Sequence, residues 1–200
     1  SLASFESYQM SDAWLWEHLA LTRARAVAGD GGLCADVEAV RARVLGRGYT
    51  PAQVLAEVAQ MRARIAAAKT PDGPWDVKLG AGRLQDIELL AQAASLVARY
   101  PGRDLAAALQ AGAGFGLFTP PEAQTLIETY DLCWQIQSVS KLLSDKALDL
   151  SALGEGGAAM LLRETGAISV DDLAQRLARA SLRATQVINR VVRQTTEGAE

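Results

Sequence analysis

Residues 50–65 read Thr-Pro-Ala-Gln-Val-Leu-Ala-Glu-Val-Ala-Gln-Met-Arg-Ala-Arg-Ile, and this stretch decides the fold class. Thr50 and Gln53 stand three apart, the spacing at which each side chain satisfies the other's free backbone N–H at a helix start. Pro51 loses nothing at the first helical position, where its missing N–H would have had no partner. Val54, Leu55, Val58, Met61 and Ile65 then recur at helical spacing, which predicts a helix to about Lys69.

The same pattern extends in both directions. Upstream, Ser11 or Asp12 is expected to cap a helix running to about Ala28, where Gly29-Asp30-Gly31-Gly32 stops it. A second spans Cys34–Leu45, ended by Gly46 and Gly48. Downstream, Thr70–Gly82 is the one long non-helical segment, with Trp75 expected to pin it to the core. Leu84–Tyr100 follows, burying Ile87, Leu90, Ala91, Ala94 and Val97, then a short helix at Asp104–Ala111 and a turn through Gly112, Gly114 and Gly116. Thr119-Pro120-Pro121-Glu122 is a second capping box, opening a long helix with Leu126, Ile127, Tyr130, Trp134 and Leu142 inward. Ser169-Val170-Asp171-Asp172 opens the last, carrying Leu173, Leu177, Ala184, Ile188 and Val191. Nothing alternates with period two for long enough to make a sheet. The expectation is an all-α, multi-helix bundle over 1–146, a linker at 147–157, a helical extension packed on the bundle over 158–194, and a frayed tail at 195–200.

Composition narrows the function. The 200 residues are 50% hydrophobic and 22% charged, a globular balance that would bury roughly 70% of the unfolded surface. Apolar runs stop well short of the ~18 residues a membrane span needs. A net charge of −3 argues against bulk nucleic-acid binding. Cys34 and Cys133 form no Cys-x-x-Cys pair, which suits reduced thiols and a cytoplasmic location. With His18 as the sole histidine, no zinc cluster is available, and packing or a structural hydrogen bond is its expected role. The tryptophans at 14, 16 and 134 are expected in the core. The chain starts at Ser1 without a methionine or a signal segment and reads as a piece of a longer protein.

Chemistry concentrates in residues 76–92, Asp-Val-Lys-Leu-Gly-Ala-Gly-Arg-Leu-Gln-Asp-Ile-Glu-Leu-Leu-Ala-Gln. Gly80 and Gly82 permit close approach to the main chain, and the helix start behind them presents unpaired N–H groups suited to an anion. Asp86 and Glu88 could equally satisfy that helix end themselves. Two apart on a helix, these carboxylates point about 200° away from each other and cannot share one ion. Lys78 and Arg83, with Arg23 and Arg25, supply charge that could approach phosphates or pair with acids of a neighbouring domain. The plainer reading makes Lys78 and Arg83 solvated loop charges and pairs Arg23 and Arg25 with Glu17, Asp86 or Glu88. For Lys78 both readings stand. Glu88 is the expected anchoring carboxylate of a polar network with Glu17, His18, Arg23, Arg25 and Asp86. Arg176, Arg179, Arg183, Arg190 and Arg193 form a stripe on the last helix, either a solvated face or a dock for an acidic partner.

Residues 11–30 contain Trp14-x-Trp16-Glu17-His18 followed by Leu21-Thr22-Arg23-Ala24-Arg25-x-Val27-x-Gly29-Asp30. Together with Glu57–Arg62 and Asp76–Gln92, in that order, the chain resembles the bifunctional glutamine-synthetase adenylyltransferase/deadenylylase over about residues 1–143. The likeness is to the helical region after the C-terminal nucleotidyltransferase domain. It departs where the family usually has two adjacent glycines, here Gly82-Arg83, and a polar residue at Leu79. The resemblance implies a parent enzyme that uses ATP and Mg2+ to transfer AMP to a tyrosine of glutamine synthetase. Its other half removes that AMP, under the PII signalling protein and glutamine, regulating nitrogen assimilation. The superfamily's Gly-Ser dipeptide and Asp-x-Asp pair are absent, so no catalytic or metal-binding residue is expected here. Lys78, Gly80, Gly82 and Arg83 are the expected nucleotide-proximal or interdomain residues, facing the preceding nucleotidyltransferase domain of the same chain. A reading of another class keeps the chain as a stand-alone helical regulatory or adaptor module for a protein partner.

Overall fold

The computed structural model describes residues 1–144, 148–150 and 153–193. Among the described residues there are nine helices and no strand: α1 Leu2–Ser11, α2 Leu15–Leu21, α3 Gly31–Leu45, α4 Pro51–Ala68, α5 Leu84–Val97, α6 Leu105–Phe115, α7 Pro120–Leu143, α8 Glu155–Thr165 and α9 Val170–Arg193. The fold is all-α. The described residues form two compact units, one drawn from 1–61, 89–123 and 191–193 and the other from 62–88 and 124–190, so the division falls inside α4, α5, α7 and α9. This partition differs from the expected bundle, linker and extension. Leu161, Ala167, Leu173 and Leu177 share one core with Val77, Leu84, Leu132, Ile136 and Val139, so α8 and α9 complete that core rather than sit on a finished one. Glu155–Gly157 of the expected linker belong to α8. Its residues 147, 151 and 152, and the expected tail at 195–200, lie outside the described residues.

In the first unit α3 packs against α1 and α2. Asp30 caps α3 by accepting from the Leu33 N–H at 2.9 Å, and Val40, Val44 and Leu45 are buried behind it. Thr50 and Gln53 form the expected reciprocal cap of α4, which buries Val54, Leu55 and Val58. The expected turn at Gly112 is helix. A Cβ on Gly112 would come 2.6 Å from the Ala94 Cβ and 3.0 Å from the Phe118 ring, so this glycine lets α6 approach α5. The helix ends instead at Gly116, in the left-handed conformation.

The N-terminal segment departs from expectation. There is a helix at Leu2–Ser11 that the apolar pattern did not predict, and α2 stops at Leu21 rather than Ala28. The reason is competition for backbone groups. The N–H groups of Thr22, Arg23 and Ala24 still close backbone turns, but the carbonyls of Leu21, Thr22 and Ala24 accept from Arg41 and Arg103 and the Ala26 N–H donates to Glu38, so side chains take the groups that would continue the helical ladder.

In the second unit the expected α7 stripe holds in part, with Leu126 buried and Tyr130 packed against the core. Thr129, Leu132, Cys133, Ile136 and Val139 are buried, whereas Trp134 and Leu142 are 52% and 74% exposed. Small Cys133 and Thr129 take the inner face. Trp134 stacks on Tyr130, 6.3 Å between ring centroids, outside it. Trp14 and Trp16 are exposed too, at 70% and 42%, so the expectation of three core tryptophans fails. Trp75 does pack on the second core, holding the 69–83 loop to it.

Candidate functional site

The loop before α5 is organised by Asp76. Its Oδ1 accepts from the Lys78 and Leu79 N–H groups, both at 3.0 Å, and its Oδ2 from the Asp72 N–H at 3.0 Å. This is an aspartate turn, in which a short carboxylate takes the place of a backbone partner. The Arg83 guanidinium donates to the Asp76 carbonyl, and the Leu84 and Gln85 N–H groups donate to the carbonyls of Val77 and Lys78. The main chain of Lys78 is therefore fully used, while its side chain is exposed.

Gly80 is exposed but Gly82 is buried, in the left-handed region at φ 67°. A Cβ on Gly82 would stand 2.6 Å from the Thr185 hydroxyl, 2.8 Å from the Thr185 nitrogen, and nearer still to the Ser181 carbonyl. Gly82 thus faces α9, not a neighbouring domain, and its glycine is explained by close packing as well as backbone angle.

Asp86 is the anchor of this region. It is 8% exposed and accepts from the Gly82 N–H at 2.8 Å. Arg62 grips it with both arms, Nε to Oδ1 at 2.5 Å and Nη2 to Oδ2 at 3.1 Å, while Nη2 also donates to Asn189 Oδ1 at 3.1 Å. The expected assignment is reversed on both counts. The buried carboxylate is Asp86 rather than Glu88, and its arginine is Arg62 rather than Arg23 or Arg25. Glu88 is half-buried, 3.5 Å from the Tyr130 hydroxyl.

Beside Lys78 lies a groove of about 200 Å3, lined by Trp75, Asp76, Val77, Lys78, Gln137, Ser140, Lys141 and Leu148. Lys141 is not among the expected site residues; it stands on α7 next to Leu142, which the apolar pattern places inward and the structure leaves exposed. Lys78 and Lys141 outweigh the one lining carboxylate, Asp76, whose oxygens are taken by backbone N–H groups, so the groove suits an anionic group. Among the described residues no three His, Cys, Asp or Glu side chains gather as metal ligands, and Asp86 is already engaged by Arg62 and Gly82. The residues present do not fit a magnesium site.

In the first unit Glu17 accepts from the Tyr8 hydroxyl at 2.8 and 3.0 Å and from the Trp14 N–H at 2.7 Å. That hydrogen bond, with lesser help from burial and the carboxylate charge, raises the Tyr8 phenol above its ordinary range. Arg23 and Arg25 are exposed, and the internal cation is instead Arg41, 3% exposed. It donates to the carbonyls of Leu21 (2.9 Å), Pro101 (2.6 Å), Thr22 and Gly102 (3.4 Å). Burial above all, then the charge of Arg103, lowers its pKa. Its position was legible, because Arg41 falls on the Val37, Val40, Val44 stripe at helical spacing.

His18 is buried, its Nε2 3.0 Å from the Gln9 carbonyl and its Nδ1 2.6 Å from the Tyr49 hydroxyl. A carbonyl only accepts, so Nε2 carries the proton and Nδ1 accepts from Tyr49. Burial, the largest influence, lowers its pKa below the ordinary 6.5. A protonated ring would donate at both nitrogens and lose the Tyr49 bond as made. With the folded pKa depressed, the unfolded chain binds the extra proton first, so this group costs no stability above pH ~6.5 and destabilises the fold as pH falls below it. Proton NMR of this sole imidazole should give a midpoint under 6.5, and His18→Gln should flatten the acid-side stability slope. A midpoint at or above 6.5 would reject the assignment.

Similarity to known proteins now bears on these groups. The family described as GlnD PII-uridylyltransferase matches residues 53–195, and that described as glutamate-ammonia ligase adenylyltransferase matches residues 1–40. Relatives named bifunctional glutamine synthetase adenylyltransferase/adenylyl-removing enzyme include that of Mesorhizobium japonicum, 52% identical over 91 residues (46% of this chain, 9% of that protein). Another is from Rhizobium meliloti, 36% identical over 157 residues (74% and 16%). A third, from Rhodopseudomonas palustris strain HaA2, is 31% identical over 196 residues (96% and 20%). The chain belongs to the glutamine-synthetase adenylyltransferase family. It spans between 9% and 20% of the length of these three relatives, and the likeness runs past residue 143, through α8 and α9. Both halves of the Arg62–Asp86 pair lie inside the 53–195 match. No helix among the described residues is long and apolar enough to cross a membrane.

Proposed function

We propose that this chain is the helical module of an enzyme that transfers AMP from ATP to a tyrosine of glutamine synthetase, and that removes it in its other half. The observation that carries this reading is the alignment of 96% of the chain with one-fifth of a relative named for both activities. Catalysis, with its ATP and Mg2+, belongs to the preceding nucleotidyltransferase domain, since this sequence lacks the Gly-Ser dipeptide and Asp-x-Asp pair that mark the superfamily. The module supports that domain through the face bearing Lys78, Gly80 and Arg83, with Lys141 beside Lys78 in the same groove. The whole works in the cytoplasm, in nitrogen regulation, under PII.

In the full-length enzyme, Lys78→Ala combined with Lys141→Ala should lower AMP incorporation into glutamine synthetase at least tenfold, with the melting temperature unchanged. The isolated 200 residues should incorporate none. Normal incorporation by the double variant, or activity in the isolated chain, would overturn the assignment. Because one matched family is named for uridylyl transfer, a parallel arm offers UTP and PII protein. Labelling there, with none of glutamine synthetase, would replace the substrate.

A further inference from the structure

The second unit carries another concave surface, between α7 and α9, of about 200 Å3. Its α9 wall is Arg176, Arg179 and Arg183, at i, i+3 and i+7 on one helical face, rising about 10 Å from first to last. From α7 come Glu128, Thr129 and Leu132. The Thr129 hydroxyl is committed to the Thr125 carbonyl at 2.7 Å and the Ala180 carbonyl at 3.3 Å, and Glu128 accepts from Gln124 at 3.0 Å.

The arginines are held loosely. Arg176 reaches Asp172 only at 3.9 Å. Arg179 meets the neutral amide oxygen of Gln175 at 3.4 Å. Arg183 makes no ion pair or hydrogen bond among the described residues. Three guanidiniums against one lining carboxylate leave the groove positive on a chain whose net charge is −3.

We propose that this groove docks an acidic segment of a partner protein. A guanidinium fork is shaped for two-armed pairing with a carboxylate, which none of these three achieves internally. The volume falls below the ~300–1,000 Å3 of small-molecule pockets, which disfavours a whole nucleotide. The charges stand about 4.5 and 6 Å apart along the axis. Alternate side chains of an extended segment, about 7 Å apart, can therefore each meet one. A lone ion would use only part of the row.

The inference is independent of the AMP-transfer reading, and its test uses the 200-residue chain. A fluorescein-labelled decaglutamate peptide is titrated and followed by anisotropy at 50 and 200 mM salt. Binding should weaken with salt and fall at least tenfold when Arg176→Gln, Arg179→Gln and Arg183→Gln are combined, with far-UV circular dichroism unchanged. Arg25→Gln, on the other unit, should change it less than twofold. Should the triple variant not fold, Arg183→Glu alone should weaken binding at least threefold. Three results each overturn the proposal: no binding at 50 mM salt, affinity unaffected by the groove variants, or complete displacement by an equal concentration of inorganic phosphate, which would mark a small-anion site.

Discussion

Asp86→Ala should lower the unfolding free energy by about 3 kcal/mol, while Glu88→Gln should cost less than about 1. Asp86 is 8% exposed and receives three hydrogen bonds, two from Arg62 and one from Gly82. Removing it strands the guanidinium of Arg62 in a site of low dielectric, with Asn189 its remaining acceptor among the described residues. Breaking one side of a buried pair typically costs about 3–5 kcal/mol. The lower end applies because the Arg62 side chain keeps 21% of its surface and can reach water. The same argument predicts compensation. Arg62→Met should be comparably destabilising alone, yet the double variant Arg62→Met/Asp86→Ala should lose less than the sum, since no charge is left unpaired. Urea unfolding of the four proteins decides it. Equal midpoints for Asp86→Ala and Glu88→Gln, or strict additivity in the double variant, would show that the pair is not an anchor.

That pair also shows where the sequence could be read and where it could not. Helix positions came from local rules, so Thr50–Gln53, Thr119–Glu122 and the Ser169 cap were all visible. The apolar faces of α4, α5 and α9 followed from a single period. Asp86 and Arg62 stand 24 residues apart, and no period links an arginine on one helix to a carboxylate on another. Helical geometry correctly sent Asp86 and Glu88 to different faces, but which face was buried depended on α9 arriving against Gly82, a fact of tertiary packing.

The site was legible in the same uneven way. Lys78 was identified from its glycine neighbours, but Lys141 beside it in the groove was not, because Trp134 and Leu142 had been counted as core. Large aromatic residues usually dominate burial. Here the inner face of α7 is built from Thr129, Cys133 and Ile136, with Trp134 left to stack on Tyr130 outside. Burial pushes the Cys133 thiol up to about 12, as befits a packed apolar side chain and not a reactive one.

Arg41→Met should be the most damaging single change in the first unit, at about 4 kcal/mol. Four carbonyls, from Leu21, Thr22, Pro101 and Gly102, accept from this one guanidinium, and that of Leu21 has a further donor in the Ala24 N–H. A methionine of similar length would fill the space and leave the carbonyls of Thr22, Pro101 and Gly102 without this donor, at roughly 1–3 kcal/mol for each acceptor that stays buried. Some will reach water as the loops relax, which keeps the total below the full sum. Lysine is the discriminating variant. It keeps the charge, but its three donors radiate from one nitrogen and cannot span two loop segments as a planar fork does. Arg41→Lys should therefore restore less than half of the loss. If the charge were what mattered, through Glu38, lysine would restore nearly all of it. Hydrogen exchange gives a local check. The Ala24 N–H, bonded to the Leu21 carbonyl, and the Ala26 N–H, bonded to Glu38, should lose protection in both variants before the α4 amides do. Unchanged protection over residues 22–26 together with a wild-type urea midpoint for Arg41→Met would mean that the segment is held by Arg103 and Glu38 alone, and that α2 ends at Leu21 for some other reason.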